Sequence, residues 1–230
     1  MRGAARQFGW VSLGRAHTIA FAFCACAAGH AAESITIAET RAIPQGELPA
    51  TPGATHDFTL HAYTFRGTRW KPDDIAVAVA SSARLLAQCG IGVASAELNV
   101  IEAPRRFHDF YTPVSRELLR TLSTPKPAIF FVEDTRNNPA FDAEAIGLGN
   151  AGTRPELVNT VWIAWGARDL PYALVHELVH LLSNSGEHSG QPGNLMRTET
   201  APENSHLTEA QCRLIRTRGE SNGLLRRRSS

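Results

Sequence analysis

The stretch Asp169-Leu170-Pro171-Tyr172-Ala173-Leu174-Val175-His176-Glu177-Leu178-Val179-His180-Leu181-Leu182 decides how the rest of the chain is read. Leu174, Leu178 and Leu181 recur at helical spacing, so one face can be buried while another presents polar groups. Asp169 suits a helix N-cap and Pro171 its first turn. His176 and His180 then lie one turn apart on one face and can aim two imidazole nitrogens at a single ion. Glu177 projects beside them, where a carboxylate can take a proton from an activated water. Two neutral nitrogen donors, a positioned base and an open coordination position are what metal-assisted hydrolysis requires. The plain alternative is a helix that carries two surface histidines and a glutamate.

A catalytic zinc ion needs a third protein ligand, and Glu187 and His188 are the next candidates, after Leu182-Ser183-Asn184-Ser185-Gly186. Asn184 and Gly186 both tolerate left-handed backbone, so the helix can stop there and the chain can return His188 to the metal. The expectation is one catalytic zinc on His176, His180 and His188. Glu199 and Glu203 stay open as third ligands if the downstream segment is helical, against which Pro192, Gly193 and Pro202 speak.

His176-Glu177-Leu178-Val179-His180, the turn to His188 and Asn194-Leu195-Met196 resemble the metzincin clan of zinc metallopeptidases. The resemblance implies that a third histidine completes the site and that a methionine turn, here Met196, underlies it. It also implies an edge strand above the cleft that pairs with extended substrate. Ala145 to Gly149, with Ile146, Gly147 and Leu148 at its centre, is the candidate. In that clan a glycine stands three residues, and the third histidine six, after the second ligand. Here Ser183 and Gly186 occupy those positions and His188 lies eight residues on, so the turn is two residues longer.

Outward from the motif, Phe58 to Phe65 alternates apolar and polar residues and reads as a first strand. Pro72-Asp73-Asp74 opens a helix of about four turns that runs through Leu85, Leu86 and Ala87 to Gly90. Ile91 to Ile101 reads as a second strand, Arg116 to Leu122 as a short helix, and Ala128 to Val132 as a buried strand. The stretch from Arg136 to Thr153 reads as a loop around a short edge strand, and Leu157 to Ile163 as a further strand. A helix ending in Ala87-Gln88-Cys89-Gly90 before a strand is similar to the metzincin N-terminal subdomain. The fold class is therefore α+β, a mixed α/β pattern. It has a twisted, mostly parallel sheet, an N-terminal helix, the zinc helix, and a smaller C-terminal part. Thr208-Glu209-Ala210-Gln211 is a capping box that starts the final helix through Cys212 and Ile215.

The first 31 residues form a separate block. Arg2, Arg6 and Arg15 occur there without an acid, followed by an apolar run from Thr18 to Ala28 and small residues up to Ala31. This reads as a signal peptide with cleavage after Ala31; the run is too short for a membrane span, which takes about 20 residues. Residues 32–56 read as an extended lead-in, 57–222 as the metallopeptidase domain, and 223–230 as a basic, solvated tail. Without the three leading arginines, 20 basic residues face 22 acids, so no basic balance points to nucleic acid. Cys24 and Cys26 leave with the signal; Cys89 and Cys212 remain, and an oxidising compartment suggests one bridge between them, the alternative being two separately buried thiols.

The expected function is that of an exported zinc endopeptidase, periplasmic or secreted, cutting peptide or protein substrates by metal-activated water with Glu177 as general base. Two alternatives share the site: a non-catalytic metal-binding or interaction protein, and a zinc amide hydrolase acting on cell-wall peptide.

Overall fold

The computed structural model describes residues 34–229; the expected signal peptide lies outside them. A sheet forms the middle layer. Its strands are β1 (Thr36–Ile43), β2 (His56–Phe65), β3 (Ile91–Glu102), β4 (Ala128–Val132), β5 (Ala143–Ile146), β6 (Thr160–Ala164) and β7 (Arg226–Arg227), in the order β1-β3-β2-β4-β6-β5. The four central strands run parallel, β3 with β2, β2 with β4 and β4 with β6. The flanking strands β1 and β5 are antiparallel to their neighbours. β4 and β6 are buried at every position, as strands covered on both faces must be.

Three helices cover one face: α1 (Pro72–Leu86), α3 (Leu170–Ser183) and α4 (Glu209–Ser221). Their apolar stripes share a core with alternate residues of β2 and β3, among them Ile75, Val79 and Leu86 of α1, Leu174 and Leu178 of α3, and Ile215 of α4. The other face carries α2 (Thr112–Thr121), whose Leu118 joins an aromatic core of Tyr63, Phe65, Phe110, Phe130 and Trp162. The class is the mixed α/β one expected. Glycine is required at Gly90, where φ is +66° and the chain turns from the end of α1 into β3.

Several boundaries differ from the sequence reading, each for a physical reason. The lead-in contains β1, an edge strand exposed along most of its length, so no hydrophobic alternation announces it. Its pairing with β3 slips between Ile37 and Glu39. α2 starts at Thr112, with Pro113 in its first turn, rather than at Arg116. The strand expected from Leu157 begins only at Thr160, because Pro155–Leu157 is a 3-10 turn and Asn159 sits at φ 60°. The tail from residue 223 is not wholly solvated: Leu224 and Leu225 are buried and β7 pairs with the start of β2.

Cys89, in the 3-10 turn that follows α1, is bridged to Cys212 on the first turn of α4, across 123 residues of sequence. Closing so long a loop removes chain entropy from the unfolded state. Replacing both cysteines by alanine is expected to lower the unfolding free energy by about 2–5 kcal/mol in a denaturant titration. A change below about 0.5 kcal/mol would remove the bridge from the account of how α4 is held.

Candidate metal centre

α3 carries the motif across the floor of a cleft. Pro171 stands in its first turn, and the helix closes at Asn184 in the left-handed region (φ 46°), where the Asn184 N–H reaches back to the Leu181 carbonyl. Gly186, the other residue expected to take that conformation, is not among the positive-φ positions. Asp169 occupies the N-cap but is itself left-handed (φ 50°), and its side chain makes no cap hydrogen bond, contrary to expectation. Gly147, just past β5, packs so closely on Asn184 that a Cβ would stand 3.0 Å from its side-chain oxygen.

The structure brings His176, His180 and His188 together, as one group of metal-type donors among the described residues. Their Nε2 atoms are separated by 2.9 Å (His176 to His180), 3.3 Å (His176 to His188) and 3.3 Å (His180 to His188). His176 Nδ1 donates to the Leu195 carbonyl at 2.9 Å and His180 Nδ1 to the Ser185 carbonyl at 2.7 Å. A carbonyl only accepts, so each Nδ1 holds the proton and each Nε2 presents a lone pair. Burial lowers the pKa of His176. His180 is pushed down to about 4, by burial first and by the neighbouring His176 next. Both rings are therefore neutral at pH 7. Neutral nitrogens aimed at one another at such distances repel unless a cation lies between them. Three donors on a tetrahedral ion at 2.0–2.1 Å stand about 3.3–3.4 Å apart, so the donor set fits zinc.

Burial differs along the triad. His176 is 3% exposed, whereas His188 stands on the open side of the cleft. Glu177 is half-buried beside them. Desolvation raises its carboxyl to about 7; the backbone N–H of Ala145 acts the other way, and the charge of Glu144 adds to the rise. The alternative ligands Glu187, Glu199 and Glu203 are not in the donor group, although Glu199 lines the cleft.

The turn Asn194-Leu195-Met196 lies directly behind the triad. Leu195 supplies the carbonyl that holds His176, and the Met196 carbonyl accepts from the Ser189 N–H at 2.7 Å, one residue past His188. Met196 is 3% exposed and joins the core that contains Leu174, Leu178 and Leu195. Sequence reasoning did not find the Ser185 and Leu195 carbonyls, because a backbone acceptor leaves no mark in residue type.

The cleft holds about 950 Å³. It is lined by β5 and the residues around it, by Asn184 to Gly186 and His188, and by Thr198 to Ala201. β5 is the edge strand expected, but it ends at Ile146, which is fully buried on the aromatic side of the sheet. Gly147 and Leu148 lie beyond it, Leu148 opening a 3-10 turn, because a tight turn into Leu148–Asn150 replaces further pairing with β6. The carbonyls of Asp142 and Ile146 accept from β6-side N–H groups of Ala164 and Asn159. By antiparallel alternation the main-chain groups of Ala143 and Ala145 face away from β6.

No protein-family model and no curated protein matches the sequence. Among solved structures the chain is similar to metalloproteinase-II from Bacteroides fragilis, at 18% identity and a TM-score of 0.49. That alignment covers 74% of this chain and 54% of the other, so the chain spans about half that protein's length. It is also similar to archaemetzincin from Methanopyrus kandleri, at 11% identity and a TM-score of 0.49, over 77% of this chain and 98% of that one.

Proposed function

We propose that the chain is an exported zinc-dependent endopeptidase of metzincin type, with His176, His180 and His188 as ligands, Glu177 as general base and Met196 in the methionine turn. The observation that carries this reading is the convergence of three imidazole nitrogens beside a half-buried carboxylate, on the floor of an open cleft. Export is supported by the basic and apolar character of residues 1–31 and by the Cys89–Cys212 bridge. No helix among the described residues is long and apolar enough to cross a membrane.

When bound, zinc supplies Lewis-acid chemistry: it polarises a scissile carbonyl and makes a water a nucleophile near neutral pH. The protein's own groups do the rest. The Leu195 and Ser185 carbonyls hold the His176 and His180 rings in the tautomer that leaves Nε2 free. Glu177 takes the proton of the attacking water and passes it to the leaving amine, a role suited to a carboxyl that burial raises to about 7. The outward main-chain groups of Ala143 and the outward carbonyl of Ala145, whose N–H serves Glu177, pair with an extended substrate and hold it against the triad.

The test is the zinc content of the purified chain, with hydrolysis of an unfolded protein and of a cell-wall peptide measured with and without a chelator. One zinc per chain, and cleavage of the unfolded protein that stops with the chelator and returns with zinc, is expected. Cleavage confined to cell-wall peptide would replace the endopeptidase by an amide hydrolase on the same centre. Zinc without hydrolysis of either substrate would make the chain a binding protein.

A further inference from the structure

Gln211, in the first turn of α4, serves the capping box, and Gln211 N donates to Thr208 Oγ1 at 3.3 Å. Its Oε1 accepts from the Thr208 N–H at 2.8 Å and from the Thr208 hydroxyl at 3.1 Å. A glutamate would serve that cap as well. The amide nitrogen has a different partner. Gln211 Nε2 donates to Asn194 Oδ1 at 3.1 Å, while Asn194 Nδ2 donates to Gln211 Oε1 at 2.9 Å. The two side chains thus form a closed pair of amides, and Asn194 is 2% exposed. Asn194 Oδ1 also accepts from the Met196 N–H at 2.9 Å, which leaves Leu195 bracketed between two anchored residues. On its other side Leu195 N–H donates to the His206 carbonyl at 2.7 Å.

We infer that Gln211 is a positioning residue for the metal centre: through Asn194 it fixes the turn whose Leu195 carbonyl orients His176 and whose Met196 carbonyl holds the chain beside His188. The inference rests on the reading of the three imidazoles as ligands. Its physical basis is that a reciprocal amide pair, closed on the buried Asn194 and with Asn194 Oδ1 also held by the Met196 N–H, admits one arrangement, and the turn inherits it. Partners that orient ligands from behind typically change metal affinity by about 10- to 100-fold when removed.

Two substitutions separate this role from the cap. In Gln211→Glu every acceptor of the capping box survives, but the donor to Asn194 Oδ1 is replaced by a second oxygen facing it. In Thr208→Ala the capping hydroxyl is lost with its bond to Gln211 Oε1, while both hydrogen bonds of the amide pair and the Thr208 N–H bond to Oε1 remain. Zinc affinity is read by competition with a chelating dye, and stability by the melting temperature of the metal-free chain. Gln211→Glu is expected to weaken zinc by about 10- to 100-fold. Thr208→Ala is expected to lower the melting temperature by about 2–4 °C with zinc affinity kept. Wild-type zinc affinity in Gln211→Glu would overturn the inference, as would an equal loss of affinity in both variants. A wild-type chain that binds no zinc would instead overturn the ligand reading beneath it.

Discussion

Glu177→Gln is expected to lower peptide hydrolysis by about 10²- to 10⁴-fold while zinc remains bound at one per chain. Glutamine has the same shape and keeps an oxygen for the Ala145 N–H, but it cannot take a proton. Neither His176 nor His180 relies on Glu177 for its orientation, since their Nδ1 partners are the carbonyls of Leu195 and Ser185. Binding and turnover should therefore separate. Activity within tenfold of wild type would end the assignment of Glu177 as base, and loss of zinc would show that the carboxylate holds the site together. The metal-free variant carries a second signature. A carboxyl raised from 4.5 to about 7 keeps its proton in the folded state after the unfolded chain has released it. The contribution of Glu177 to the stability of the metal-free wild type therefore falls as pH rises from about 4.5 to 7. Glutamine removes that slope, so the variant should gain on wild type across the same window.

The second large effect concerns the ligands. At a free zinc concentration a thousand times its dissociation constant, binding stabilises the folded chain by about 4 kcal/mol. For a domain of this size that raises the melting temperature by about 8–16 °C. The shift should vanish in His176→Ala and in His180→Ala, each of which leaves two donors. His188→Ala is the more informative variant, because His188 comes from a turn two residues longer than the related motif and its ring is exposed. It too should lose the shift. An undiminished shift in that variant would move the third ligand to Glu199, Glu203 or His206, which the structure places outside the donor cluster.

The motif helix was legible because its two requirements coincide: Leu174, Leu178 and Leu181 mark the buried stripe, and His176 and His180 fall on the neighbouring one. His188 could be named from a left-handed residue, Asn184, that ends the helix where the chain must reverse. The capping box at Thr208 was equally plain, since both partners lie three residues apart. What escaped the sequence depends on contacts across long separations. β1 is a strand only because β3 offers it an edge. Asp169 has the side chain of a good N-cap, yet its backbone enters α3 from the left-handed region and the carboxylate caps nothing. The Asn194–Gln211 pair joins two segments far apart in the sequence, and nothing in either announces the other.

The shortness of β5 also has a consequence for what the cleft can measure. Four residues at about 3.3 Å per residue make a ruler of about 13 Å, and alternation leaves only Ala143 and Ala145 to face outward from it. A chain laid along this edge can register its backbone over roughly four residues. Recognition of anything longer falls to side chains beyond either end of the strand, where Leu148 stands exposed at one rim and Asp142 at the other.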